Sequence, residues 1–262
     1  MISSPSNERV KHARRVRDGR EEGLIFIDGL RLAEEALKSA IIVETAFVEA
    51  DADDARLQAL VAQMAAQKVP VLTASRSVLD ALADTVQSQG IILIAKRPAP
   101  DAGDLFRHRA DLLLVGIDRV QDPGNMGTLL RTAEAAGAHG VLVLGGSVDV
   151  YSPKVLRSSM GSAFRLPVIT EVTHERLVDL HQKHALHLTA AAGEGEMDYD
   201  RYDWRQPTLL LLGNEGRGVS AELMQACDTR LRIPMANGVE SLNVAAAGAV
   251  MLFEASRQRR RG

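Results

Sequence analysis

Three short segments of this chain concentrate residue types able to do chemistry. The first, Asp118-Arg-Val-Gln-Asp-Pro-Gly-Asn125-Met-Gly127, puts carboxylates, an amide and a Pro-Gly turn directly after the apolar run Leu112–Ile117. Pro123-Gly124 turns the chain, and Asn125 suits a helix N-cap. In the helix that follows, Leu129, Leu130, Ala133 and Ala136 share an inward face, which leaves Arg131 pointing elsewhere. Taken alone, Arg131 reads as a solvated helix residue.

The second segment, Leu212-Gly213-Asn214-Glu215-Gly216-Arg217-Gly218-Val219-Ser220, follows the apolar run Thr208–Leu212. Three glycines between 213 and 218 call for positive φ or close backbone approach to a ligand. The spacing is near that of a phosphate-cradling loop, but Val219 stands where such a loop needs lysine, so nothing neutralises β and γ phosphates. No G-x-G-x-x-G follows an early strand, which removes support for a dinucleotide. The third segment, Ile233-Pro-Met235-Ala-Asn-Gly238-Val-Glu-Ser241-Leu242-Asn243-Val, launches a final helix of small and apolar residues. Ser241 and Asn243 suit helix caps, and Pro234 and Gly238 suit turns. Together, the two glycine-bearing loops and this amide- and hydroxyl-rich cap offer hydrogen bonds to a polar, largely uncharged ligand.

Other candidates carry less. His181, His184 and His187 are spaced by three, but the segment passes from helix to strand near Ala185, so they share no face and no metal site is expected. Ser158 and Ser159 lack a G-x-S-x-G setting, which leaves a hydrolase nucleophile unsupported.

These loops need a scaffold. From Asp111 onward, strand-length apolar runs (Leu112–Ile117, Val141–Leu144, Leu166–Ile169, Leu186–Ala190, Thr208–Leu212, Leu231–Ile233) alternate with helix-length segments. This is the rhythm of parallel strands joined by crossover helices, whose ligands bind at the carboxyl ends of the strands. Residues 1–96 read as a smaller α/β unit, with strands at Leu24–Ile27, Ala46–Glu49, Val69–Thr73 and Ile91–Ala95 and a helix over Leu30–Ala40. The Pro-, Gly- and Asp-bearing stretch 97–110 reads as a linker, which leaves 111–262 as the second domain.

With 46% hydrophobic but only 3% aromatic residues, the core must be built from Ala, Val, Leu and Ile, as in an α/β protein. The net charge of −3 argues against a uniformly basic surface, although Arg9, Lys11, Arg14, Arg15, Arg17 and Arg20 cluster near the start and Arg257, Arg259, Arg260 and Arg261 near the end. By charge alone these read as a solvated helix face and a frayed tail. The single cysteine, Cys227, excludes an intrachain disulfide and suits a reducing cytoplasm. Neither an export signal nor a run long enough to span a bilayer is present, so a cytoplasmic protein without membrane association is expected.

The segments D-P-G-N-M-G-T-L-L-R-T-A (Asp122–Ala133), L-L-G-N-E-G-R-G-V-S (Leu211–Ser220) and R-I-P-M-A-N-G-V-E-S-L-N-V-A (Arg232–Ala245) resemble, in order, the three signature motifs of SpoU/TrmH-family RNA ribose 2′-O-methyltransferases. F-I-D-G-L-R-L-A-E-E-A-L (Phe26–Leu37) and Q-G-I-I-L-I-A (Gln89–Ala95) resemble that family's ribosomal-protein-like substrate-binding domain, with Asp28 where Glu is expected.

The resemblance implies an α/β catalytic domain of the SPOUT type with a deep trefoil knot, a homodimer, and S-adenosylmethionine as methyl donor. It implies a cofactor pocket of Leu212, Gly213, Asn214, Gly216, Ile233, Met235, Ser241, Leu242 and Ala245. It further implies catalytic roles for Asn125, Arg131, Glu215 and Asn243. Guanidinium surrenders a proton reluctantly, so Arg131 is expected to stabilise charge, not to act as a base. Lys11, Arg14, Arg15 and Arg17 become expected RNA contacts. Ribosomal RNA is favoured over tRNA because of the preceding domain. The alternatives are a tRNA methyltransferase, a non-catalytic ribosome-assembly protein of the same fold and, more remotely, a small-molecule methyltransferase.

Overall fold

The computed structural model describes residues 1–50, 52–85, 87–106 and 111–260. Arg261 of the basic C-terminal run and residues 107–110 of the expected linker lie outside the described residues. In chain order the elements are α1 (Glu8–Arg17), β1 (Leu24–Asp28), α2 (Leu30–Lys38), β2 (Val43–Glu49), α3 (Ala55–Ala66), β3 (Val71–Ala74), α4 (Arg76–Leu82), β4 (Ile91–Lys96), α5 (Ala102–Phe106), β5 (Leu113–Ile117), α6 (Pro123–Ala136) and β6 (Gly140–Leu144). There follow α7 (Pro153–Ser159), α8 (Ser162–Arg165), β7 (Val168–Val172), α9 (His174–Lys183), β8 (His187–Ala191), β9 (Met197–Asp198), β10 (Thr208–Leu212), α10 (Ala221–Ala226), β11 (Thr229–Arg232) and α11 (Val244–Arg259).

Two compact units result: Met1–Pro98 with Tyr151–Arg165, and Ala99–Val150 with Leu166–Gly262. The first holds a four-stranded sheet in the order β1-β4-β2-β3. β4 pairs antiparallel with β1 and β2, and β2 pairs parallel with β3. Helix α1 turns Val10, Ala13 and Val16 onto Phe26, Phe47, Val78, Leu79, Leu82, Ile92 and Ile94, so the basic helix is part of this core. Burial at three-residue spacing on a helix leaves its charges outward. Segment Tyr151–Arg165 joins the unit where α7, with Val155 and Leu156 buried, packs against β1, and through polar contacts: Arg157 pairs with Asp84 at 2.7 Å, Arg165 with Glu35, and Arg97 lies 4.7 Å over the Tyr151 ring.

The second unit holds seven strands in the order β7-β6-β5-β10-β8-β11-β9, every pair parallel. Alternate residues face opposite ways along a strand. Thus Leu114, Leu142, Leu144, Leu188, Leu209 and Leu211 join Leu177, Leu180 and Leu223 of α9 and α10 in one core. Helices α6 and α11 pack against each other. Their approach depends on Gly248, where a Cβ would fall 2.7 Å from Leu129 Cδ2 and 2.9 Å from Leu212 Cδ1.

The parallel rhythm read from Asp111 onward is present, while the two-residue β9 is too short for a periodicity to reveal. Its placement is informative. β11 inserts between β8 and β9, so the link between those two strands has to cross it. Gly195 makes the crossing: its Cβ would lie 2.6 Å from the backbone of Leu231 and Arg232, a gap only glycine tolerates. Ala192 N–H and Glu196 N–H donate to Leu231 O and Arg230 O at 2.9 and 3.0 Å, pinning the link on both sides.

Candidate active site

The strand order reverses direction of growth between β5 and β10, and the loops after both strands meet there, as expected of ligand sites in open α/β sheets. After β5 the chain forms the α6 N-terminus. Asp122, not Asn125, is the N-cap: its Oδ1 accepts from Asn125 N–H at 2.8 Å, and Pro123 occupies the position whose missing N–H costs nothing. Asn125 thus sits inside the first turn with its side chain available. Its Nδ2 donates to Glu215 Oε1 at 3.0 Å, and its Oδ1 accepts from Asn243 Nδ2 at 2.9 Å. Asn243 also caps α11, its Oδ1 accepting from Ala245 and Ala246 N–H at 2.9 and 3.3 Å. One hydrogen-bonded chain therefore ties the three sequence segments together through Asn125, Glu215 and Asn243.

Desolvation pushes the Glu215 carboxyl upward. Hydrogen bonds from Asn125 and the backbone N–H groups of Asp122 and Gln121 outweigh it and hold the group below the usual carboxylate range. Glu215 is thereby a fixed anion and acceptor. Arg131 stands outside this set. It is exposed on α6, and its side chain makes no hydrogen bond or ion pair among the described residues, while Leu129, Leu130 and Ala133 are buried beneath it. Its guanidinium is free to meet a ligand.

The glycine-rich segment folds into a tight loop in which Asn214 and Gly218 exchange backbone hydrogen bonds at 3.0 and 2.8 Å. A side chain at Gly213 would intrude on the Gly218–Val219 peptide, and Gly218 has φ +67°. Asn214 Oδ1 accepts from Gly216 and Arg217 N–H at 3.0 and 3.1 Å, closing the turn from within. Beside it opens a cavity of about 300 Å³. Leu212, Gly213, Asn214, Gly216, Ile233, Met235, Ser241 and Leu242 line it. Ala245 does not; it is buried in the first turn of α11 beneath the Asn243 cap.

Ala191, Ala192, Gly193, Glu240, Ala247 and Met251, which were not singled out in the sequence, complete the wall together with Glu215, Gly218 and Val244. A signal for the first three existed, since Ala191-Ala-Gly-Glu-Gly195 is a glycine-bearing loop straight after a strand. Met235, Val239 and Leu242 leave large apolar surface exposed at 38%, 52% and 40%, unusual for loop residues unless a ligand covers them. The cavity's charged lining is Glu215 and Glu240, without a lysine or arginine. Such a lining suits a cationic or neutral ligand and disfavours a polyphosphate.

Residues 112–253 match the SpoU rRNA Methylase family, and residues 26–100 match the RNA 2′-O ribose methyltransferase substrate binding family. The chain belongs to the SpoU rRNA methylase family. Within that family it is 32% identical to the Bacillus subtilis 23S rRNA (guanosine(2553)-2′-O)-methyltransferase RlmP, over 97% of this chain and 98% of the relative. The structure of the SpoU methyltransferase AviRb from Streptomyces viridochromogenes in complex with AdoMet superposes with TM-score 0.87 at 30% identity, over 98% of this chain and 100% of that one. The TrmH/SpoU tRNA modifying enzyme of A. aeolicus is similar over 60% of this chain and 79% of its own, with TM-score 0.51 and 26% identity. The protein is thus an RNA ribose 2′-O-methyltransferase that uses S-adenosylmethionine.

The remaining candidates take structural places. On α1, Lys11 pairs with Glu8 at 2.8 Å, Arg15 with Glu21 at 2.5 Å and Arg17 with Asp18 at 3.0 Å, which spends much of the helix's charge internally; Arg14 has no such partner among the described residues. His181 Nδ1 contacts Leu186 O, His187 Nε2 contacts Thr229 Oγ1, and His184 stacks on Phe106. Burial pushes the Cys227 thiol up to about 12, so it stays protonated. Arg259 is not part of a frayed tail: it is half-buried and donates to the carbonyls of Trp204, Asp111, Leu112 and Gln206. Among the described residues no helix is long and apolar enough to cross a membrane.

Proposed function

We propose that this chain methylates a ribose 2′-hydroxyl of ribosomal RNA at the site formed by α6, the 212–220 loop and the 233–243 segment. The observation that carries the site is the Glu215–Asn125–Asn243 chain beside a cavity whose wall mixes apolar side chains with Asn214, Ser241 and two carboxylates. S-adenosylmethionine, when bound, supplies a methyl group activated by a sulfonium charge. Leu212, Ile233, Met235 and Leu242 would clasp its apolar parts, the backbone of Gly213 and Gly216 its polar edges, and the carboxylates its positive charge.

Asn125 and Glu215 position the nucleotide, and Asn243 fixes Asn125. Arg131 holds a substrate phosphate or the developing 2′-alkoxide with its planar fork, a stabilising role that needs no proton loss from guanidinium. Residues 1–96 recognise the RNA. Ribosomal RNA is favoured because the rRNA-directed relative spans both halves of the chain, whereas the tRNA-directed enzyme is similar over 60% of it.

A homodimer is supported by α11, whose outward side carries Ala246 and Phe253, the latter 49% exposed. An apolar outward face on a terminal helix calls for a second surface. The crossing of β11 by the 192–196 link supports the knotted C-terminus, and the free Cys227 thiol suits the cytoplasm. The test is incubation with radiolabelled S-adenosylmethionine and separate pools of unmodified rRNA and tRNA, with Arg131→Ala as control. Label in rRNA, absent with Arg131→Ala, supports the proposal. Label in tRNA overturns the substrate, and cofactor binding without label favours a ribosome-assembly role.

A further inference from the structure

Asp118 lies behind the site, fully buried, and none of the roles above uses it. It touches the glycine-rich loop at both ends. Its backbone N–H donates to Leu212 O at 2.9 Å, where the loop begins, and its Oδ2 accepts from Ser220 N–H at 2.6 Å, where the loop ends. The next residue reaches the middle: Arg119 O accepts from Asn214 Nδ2 at 2.9 Å. Arg119 has φ +57°, a conformation a non-glycine residue adopts only when its surroundings hold it there. Its guanidinium returns to Asp118, with Nε 3.2 Å from Oδ1, and His174 Nε2 lies 3.4 Å from Ser220 Oγ.

We infer that Asp118 is a positioning residue that sets the shape of the 212–220 loop, and through it the affinity for S-adenosylmethionine, by fastening the loop's entry and exit to the end of β5. The inference rests on the reading of the adjacent cavity as the cofactor site. A charge-assisted hydrogen bond inside a dry core is among the stronger single contacts available. A loop rich in glycine has the most conformational freedom to lose, so a fixed staple preorganises it for binding. Asp118 does not itself line the cavity and makes no hydrogen bond to Asn125, Glu215 or Asn243, so it acts on the ligand only through Leu212, Ser220 and, by way of Arg119, Asn214.

The test measures S-adenosylmethionine affinity by equilibrium dialysis, together with amide hydrogen exchange of the ligand-free protein, for the wild type, Asp118→Ala, Asp118→Asn and Ser220→Pro. Proline fits the Ser220 φ of −57°, deletes the donor, and puts its Cδ where the N–H met Asp118 Oδ2, so the staple is broken without changing Asp118 itself. Asp118→Ala and Ser220→Pro are expected to weaken binding about tenfold or more and to speed exchange across 213–219 while β5 and β8 stay protected. Asp118→Asn, which keeps an acceptor, is expected to lose about threefold or less. The RNA KM should not change. A folded Asp118→Ala that binds within twofold of wild type overturns the inference; if that variant does not fold, the same result in Ser220→Pro does so. Failure of the wild type to bind would instead sink the reading of the cavity.

Discussion

The substitution Arg259→Met keeps the aliphatic stem and removes the guanidinium that anchors the end of α11. Four carbonyls lose a donor, but Leu112 O keeps Thr208 N–H and Gln206 O keeps Thr208 Oγ1. The net loss therefore falls on Trp204 O and Asp111 O. Hydrogen bonds to a charged donor are worth about 1.5–3 kcal/mol each, and relief from desolvating the half-buried guanidinium returns part of that. A destabilisation of about 2–3 kcal/mol follows, which for a unit of this size lowers Tm by about 5–10 °C. Trp204, the only tryptophan in the chain, is fully buried and receives Arg259 Nε at its carbonyl, so tryptophan fluorescence during heating reads this unit and not the other. A shift under about 2 °C would refute the anchor and return Arg259 to the status of a surface charge.

Three further outcomes are expected. Arg131→Lys keeps the charge but loses the fork; because Arg131 is exposed and unpaired among the described residues, Tm should move by under about 1 °C while turnover falls about 100-fold, measured with labelled methyl donor. Glu215 is held below the usual carboxylate range, so the stabilisation it contributes is fully present above about pH 4.3, the unfolded value, and is lost as pH falls through the folded one; cofactor affinity should be flat from about pH 6 to 8 in titration calorimetry, and a midpoint inside that window would contradict the hydrogen-bond assignment. Gly248→Ala gains helix propensity but crowds Leu129 and Leu212, for a net loss of about 1 kcal/mol in urea unfolding; a gain in stability would show that the helices separate at little cost.

The sequence disclosed the strands of both sheets except the two-residue β9, because most are apolar runs bounded by turns. It disclosed two walls of the cavity, the 212–218 loop and the 233–242 segment, because glycines and caps cluster after those strands. It did not disclose that Tyr151–Arg165 joins the N-terminal unit, since the packing of α7 on β1, the ion pairs and the ring contact all act at long sequence separation, invisible to periodicity. The assignment of Asn125 as the α6 cap failed for a local reason: Asp122 is equally suited and precedes a proline that fits the first helical position. The basic run in α1 looked more available than it is, because Glu8, Asp18 and Glu21 sit within reach of it. Val10, Ala13 and Val16 also make α1 part of the core, so tests of RNA contact there require single changes such as Arg14→Gln and not deletion of the helix.

The cavity is walled entirely by residues between Ala191 and Met251, whereas the unit that carries the match to the substrate-binding family is finished at Arg165. Synthesis proceeds from the N-terminus at about 5–20 residues per second, so the stretch that forms the wall takes about 3–12 s to emerge after its first residue. During that interval the growing polypeptide already possesses its N-terminal unit and lacks the cavity. On the proposed assignment of RNA recognition to residues 1–96 and of the cofactor to the cavity, binding capacity precedes chemical capacity in time, and a chain stopped before α11 would compete for the RNA without being an enzyme.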